Sequence, residues 1–127
     1  MKIEKIKDGI YKVIDNNNSY QLEAISKVDA ETKYNNLLIT DKKRNLLAEV
    51  QKLASKLLSE TDYKVLRHLG QKELSAKGKI AKTKLTDIEY ENLELEREAI
   101  REWSNTKEVE INSSTTLIEL NNINTGY

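Results

Sequence analysis

Leu46-Leu47-Ala48-Glu49-Val50-Gln51-Lys52-Leu53-Ala54-Ser55-Lys56-Leu57-Leu58 carries its apolar side chains at 46, 47, 50, 53, 54, 57 and 58. Recurrence every three or four positions marks one face of an α-helix, and Lys42, Lys43, Glu49, Gln51, Lys52 and Lys56 fall largely on the other face. Thr40 or Asp41 is a good N-cap for this helix, because either side chain can accept a bond from a free first-turn amide. Ser59-Glu60-Thr61-Asp62 interrupts the stripe. A second, short helix is expected through Tyr63, Val65, Leu66 and Leu69, capped by Ser59 or Thr61 and ending at Gly70 or continuing to Leu74.

Downstream, residues 75–85 form a basic connection without a clear period, a candidate for a mobile segment. Thr86-Asp87-Ile88-Glu89 has the form of a capping box, in which the Thr86 hydroxyl takes the Glu89 amide and the Glu89 carboxylate reaches back. The helix it opens carries Ile88, Tyr90, Leu93, Ile100 and Trp103 and is expected to end near Ser104. Its acids lie early and Arg97 and Arg101 late, as the helix dipole favours. Glu108–Ile111 and Thr115–Leu120 alternate like two short strands around 112–114, and residues 121–127 are expected to fray.

Upstream the period is two. Residues 3–6 and 10–14 flank Lys7-Asp8-Gly9, a turn sequence in which Gly9 tolerates positive φ. A two-residue loop would set Lys5 against Lys12. A three-residue loop sets Glu4 against Lys12 and Ile3 against Val13, avoids the like-charge contact, and is preferred. After the turn residues 16–19, Tyr20–Ile25 alternates as a third strand. Three strands with one apolar side need a cover, which the helices can supply.

The fold expected is therefore α+β in one domain of 127 residues. An N-terminal antiparallel meander (1–30) precedes a packed helical hairpin (40–104) and a strand-like tail (105–127). Phe and Pro are absent, so Leu, Ile and Val must build the core with six Tyr and Trp103. Zero net charge conceals a segregation: residues 41–85 hold twelve basic against five acidic side chains, and 86–127 hold three against ten. Two such segments of one chain attract each other.

Reactive chemistry finds little to work with. Cysteine is absent, which excludes disulfides and thiolate metal sites, and His68 is the one imidazole. His68 reads as a packed or solvated helix residue. No nucleophile elbow and no phosphate-binding glycine loop occurs. The reading is a non-enzyme needing no cofactor and no metal. An N-terminus without an apolar signal core, and a chain without an apolar run of about 18 residues, lead to the expectation of a protein kept in the cytoplasm of its bacterial host, with no membrane partner.

Lys72, Lys77, Lys79, Lys82 and Lys84 form a cluster that could contact nucleic-acid phosphates. The acids at Glu89, Glu91, Glu94, Glu96, Glu98 and Glu102 in the next helix favour intramolecular neutralisation instead. Those acids could also meet a basic partner or imitate a nucleic acid.

Residues 57–67, Leu-Leu-Ser-Glu-Thr-Asp-Tyr-Lys-Val-Leu-Arg, and 85–103, Leu-Thr-Asp-Ile-Glu-Tyr-Glu-Asn-Leu-Glu-Leu-Glu-Arg-Glu-Ala-Ile-Arg-Glu-Trp, resemble the helical region of phage tail fibre assembly proteins and similar small prophage proteins. The likeness lies within residues 44–104. It implies a chaperone or accessory in tail assembly, acting on a tail fibre protein by transient contact, with Asp62, Tyr63, Arg67, Arg97, Arg101 and Trp103 at the junction between helices. The prolines usual near the end of such proteins are missing, and the tail from Glu108 is additional. The alternative is a phage-borne inhibitor of a host defence nuclease, of the anti-CRISPR type, using Glu91, Glu94 and Glu98 or the lysine-rich loop.

Overall fold

The computed structural model describes residues 1–127. It contains β1 (Lys2–Lys7), β2 (Ile10–Asp15), β3 (Asn18–Glu23), α1 (Lys27–Ala76), α2 (Asp87–Ser113) and α3 (Leu117–Asn121). The fold is α+β, with the three strands in an antiparallel sheet of order β1-β2-β3. No helix is long and apolar enough to cross a membrane. The chain packs as two compact units: residues 1–45 with 114–122, and residues 46–113 with 123–127.

In the first unit, Ile3 faces Val13 and Glu4 faces Lys12, the register that charge favours. The device that produces it is not a longer loop. Lys7 pairs with Ile10 across Asp8-Gly9, with Gly9 at φ +81°, and a register shift between Lys5 and Lys7 leaves Ile6 as the extra residue. A bulge thus brings the opposite charges together. The next turn is shorter than expected. Asp15 pairs with Asn18, so only Asn16 and Asn17 turn, Asn16 at a φ of +53° that asparagine tolerates.

Pairing puts Ile3, Val13 and Tyr20 on one side of the sheet with Tyr11 and Leu22. The cover for that side begins earlier than Thr40. α1 opens at Lys27, where the Asp29 amide donates to Ser26 Oγ at 3.1 Å and the Ile25 amide donates to Asp29 Oδ2 at 3.0 Å. Ala30 packs with Tyr11 and Ala24, and the Tyr34 ring lies 5.5 Å from that of Tyr20. Tyr34 donates its hydroxyl to Asp15 at 2.9 Å; burial, reinforced by that carboxylate, pushes its pKa up to about 12. Thr40 is therefore no cap but a mid-helix residue, its hydroxyl returned to the Asn36 carbonyl.

Two further expectations are corrected. Ser59–Asp62 does not break α1, because Ser59 and Thr61 donate to the carbonyls of Lys56 and Leu58, three residues back, and the helix runs through Gly70. The strand-like tail is helical. α2 continues to Ser113, and Thr116 caps α3 by accepting from the Glu119 amide at 3.1 Å while Glu119 accepts from Thr115. The last residues are held too, Tyr127 edge-on to Trp103 at 5.3 Å and Thr125 bonded to Glu49.

Candidate protein-binding site

The second unit is an antiparallel hairpin, and its contacts descend one helix as they climb the other. Gln51 bonds Glu108, Arg97 bonds Thr61 and Asp62, His68 stacks on Tyr90, and Lys72 pairs with Asp87. On α2 positions 90, 93, 97, 100, 104, 107 and 111 are covered, alternating steps of three and four as in a coiled-coil seam, with 94, 103 and 108 partly covered beside them. Ile111 belongs to that series and is fully buried, which is why α2 does not stop at Ser104.

Arg97 sits at the middle of the seam. One guanidinium nitrogen, Nη1, donates to the Leu58 carbonyl at 2.7 Å and to Thr61 Oγ1 at 2.6 Å; Nη2 reaches Asp62 Oδ1 at 2.8 Å. Nε has no hydrogen bond, and Glu94 lies 4.0 Å from it, too far to supply one. The side chain is nearly buried whereas that of Asp62 is more than half exposed, so the pair is anchored at one end and hydrated at the other.

Of the residues implied by the resemblance, the structure brings together Asp62 and Arg97. Tyr63 and Arg67 contact each other, the guanidinium 5.7 Å from the ring centroid, with Tyr63 exposed on α1. Arg101 pairs with Glu98 on its own helix at 3.1 Å, and Trp103 is half-buried against Tyr127. Neutralisation of the lysine cluster is local. Lys72 meets Asp87 and Lys77 meets Glu73, while Lys79, Lys82 and Lys84 are exposed on the connection.

His68 is packed, at 1% exposure, its ring 4.1 Å from that of Tyr90 and nearly parallel to it. Neither ring nitrogen has a partner. No three His, Cys, Asp or Glu side chains converge as metal ligands.

The face of α2 turned away from the seam was not anticipated. Ile88, expected in the core, is 70% exposed, and Leu95 and Val109 are similarly bare. Ile88, Leu95, Glu102 and Val109 are seven residues apart in turn, with Glu91 and Glu98 between them, all exposed. Such spacing sets the six side chains along one stripe. The signal was present in the sequence, since Ile88 and Leu95 do not fit the series through Leu93 and Ile100. What the stripe offers is apolar knobs among carboxylates, a surface suited to a partner with apolar and basic side chains.

Comparison of the chain with protein-family models, with curated proteins and with solved structures finds no match to any of them.

Proposed function

We propose that this chain is a non-enzymatic accessory protein that binds another protein through the outer face of its helical hairpin. The observation that carries the reading is the exposed α2 stripe, in which Ile88, Leu95 and Val109 stand among Glu91, Glu98 and Glu102. Isolated exposed apolar residues are ordinary; three separated by seven and fourteen residues, flanked by like charge, form a helix face that a partner can cover. The resemblance of residues 57–67 and 85–103 to phage tail fibre assembly proteins points to a tail fibre protein as that partner and to the bacterial cytoplasm as the place of action. Asp62 and Arg97 then act by holding the hairpin in register beneath the contact.

Co-expression with the fibre protein tests the proposal. Fibre is expected to stay soluble and to co-purify with this chain, and Leu95→Glu with Glu98→Lys is expected to abolish co-purification while leaving helicity by circular dichroism unchanged. Fibre that folds equally well alone overturns it. The row of exposed carboxylates favours a second reading, inhibition of a host defence nuclease at its nucleic-acid site. That reading expects retention of a nuclease complex from host lysate, lost on reversing Glu91 and Glu98. Retention of the chain itself on DNA or RNA at low salt, abolished by neutralising Lys79, Lys82 and Lys84, is the outcome that would replace both with direct nucleic-acid binding.

A further inference from the structure

A different surface carries an inference independent of that reading. Between Thr61 and Lys77, α1 turns Thr61, His68 and their neighbours to the seam. Half a turn away lie Tyr63, Leu66, Gly70 and Leu74, all exposed, Leu66 at 70%. A Cβ added at Gly70 would meet nothing within 4 Å, so the backbone is open on that side.

This stripe is symmetric about Gly70. Leucines stand four residues to either side, at 66 and 74; opposite charges stand three to either side, Arg67 and Glu73; and Tyr63 and Lys77 stand seven to either side. An antiparallel two-fold pairing of helices centred on Gly70 sets each residue against the one equally far beyond the axis in the other copy. Leu66 then meets Leu74 twice, Arg67 meets Glu73 twice, and the Lys77 ammonium reaches the Tyr63 ring. Glycine at the crossing lets the two backbones approach closely. Within one chain, Arg67 lies over Tyr63 and Lys77 pairs with Glu73 at 3.0 Å. The Lys77–Glu73 pair is exposed and of small net value, and Tyr63 is exposed, so both contacts can exchange for intermolecular ones.

We infer that the chain self-associates as an antiparallel two-fold dimer through the Tyr63–Lys77 face of α1. A second copy is the occupant because Arg67 has its complement, Glu73, at the mirror position of the same segment, and Lys77 has the Tyr63 ring.

The chain has no cysteine, which makes the geometry directly testable. Gly70→Cys in the full chain is expected to form a disulfide-linked dimer under mild oxidation, and Val109→Cys on the outer face of α2 to form none. By sedimentation equilibrium, Arg67→Glu is expected to weaken association at least about tenfold, and Arg67→Glu with Glu73→Arg to restore it, with helicity checked by circular dichroism throughout. A wild-type chain that stays monomeric at all accessible concentrations overturns the inference. So does a dimer indifferent to Arg67→Glu, a double exchange that fails to recover, or cross-linking as efficient at residue 109 as at residue 70.

Discussion

Arg97 reaches across the hairpin to three acceptors, and what its loss costs depends on what it leaves behind. Asp62 is largely hydrated and can return to water, so Asp62→Asn is expected to lower stability by no more than about 1 kcal/mol. Arg97→Ala removes a nearly buried stem together with its hydrogen bonds and opens a cavity. About 2–4 kcal/mol is expected, read by urea unfolding, with Arg97→Met recovering much of it by filling the volume. His68 presents the reverse case. Its two ring nitrogens are buried without partners, so His68→Phe, which keeps the ring on Tyr90, is expected to raise stability by about 1–2 kcal/mol. A fall of that size would show that the nitrogens are satisfied in solution. The sequence pointed to the Asp62 and Arg97 positions through the resemblance, and to His68 as a packed residue. Nothing in it showed that Thr61 and the Leu58 carbonyl share the guanidinium, because that contact joins residues far apart along the chain.

Each helix begins with the same small device, a hydroxyl and a carboxylate three residues on: Ser26 with Asp29, Thr86 with Glu89, Thr116 with Glu119. The second of these was legible because nothing competed with it. The third lies inside a stretch that alternates with period two, and six residues of alternation are weaker evidence than a reciprocal cap. The first is not legible, nor is the whole beginning of α1, whose buried Ala30 and Tyr34 are too few to make a leucine stripe. The meander, by contrast, was readable down to the facing of Glu4 on Lys12, because one residue of slip would have set like charges together. For α2, Thr86→Ala is expected to cost about 1 kcal/mol. The Thr86 amide and then its hydroxyl hold the Glu89 carboxyl below the usual range of a glutamate, and the Ile25 amide, helped by Lys33, holds Asp29 below the usual range of an aspartate. A lowered pKa means stability that is whole above the ordinary carboxylate range and lost as pH falls through the lowered value. Stability read by urea unfolding is expected to fall as pH drops below the ordinary carboxylate range, and Glu89→Gln to flatten that fall.

At the scale of the molecule, charge segregation leads one to expect the basic segment to meet the acidic one, and Lys72 on Asp87 does so, whereas the pair at the middle of the hairpin runs the other way, an acid of the basic segment, Asp62, holding a base of the acidic one, Arg97. Most of the remaining charge faces solvent or is paired within its own helix, as Arg101 and Glu98 are. The stripes that stay uncovered are legible only from periodicity, as the misfit of Ile88 and Leu95 to the series through Leu93 and Ile100 shows, since a leucine in a helix reads as core until the face it occupies is known. Leu66 and Leu95 are the instances, on opposite helices and each turned from the seam.

The stretch between α1 and α2 has no regular structure and displays Lys79, Lys82 and Lys84, whereas the contacts that close the hairpin lie on the helices it joins. Brief trypsin treatment is therefore expected to nick the backbone there first and to leave two fragments that still travel together on gel filtration. By the same logic, residues 1–78 and 79–127 made as separate polypeptides would find each other when mixed, and the covalent link would prove to be a matter of assembly rate rather than of final form.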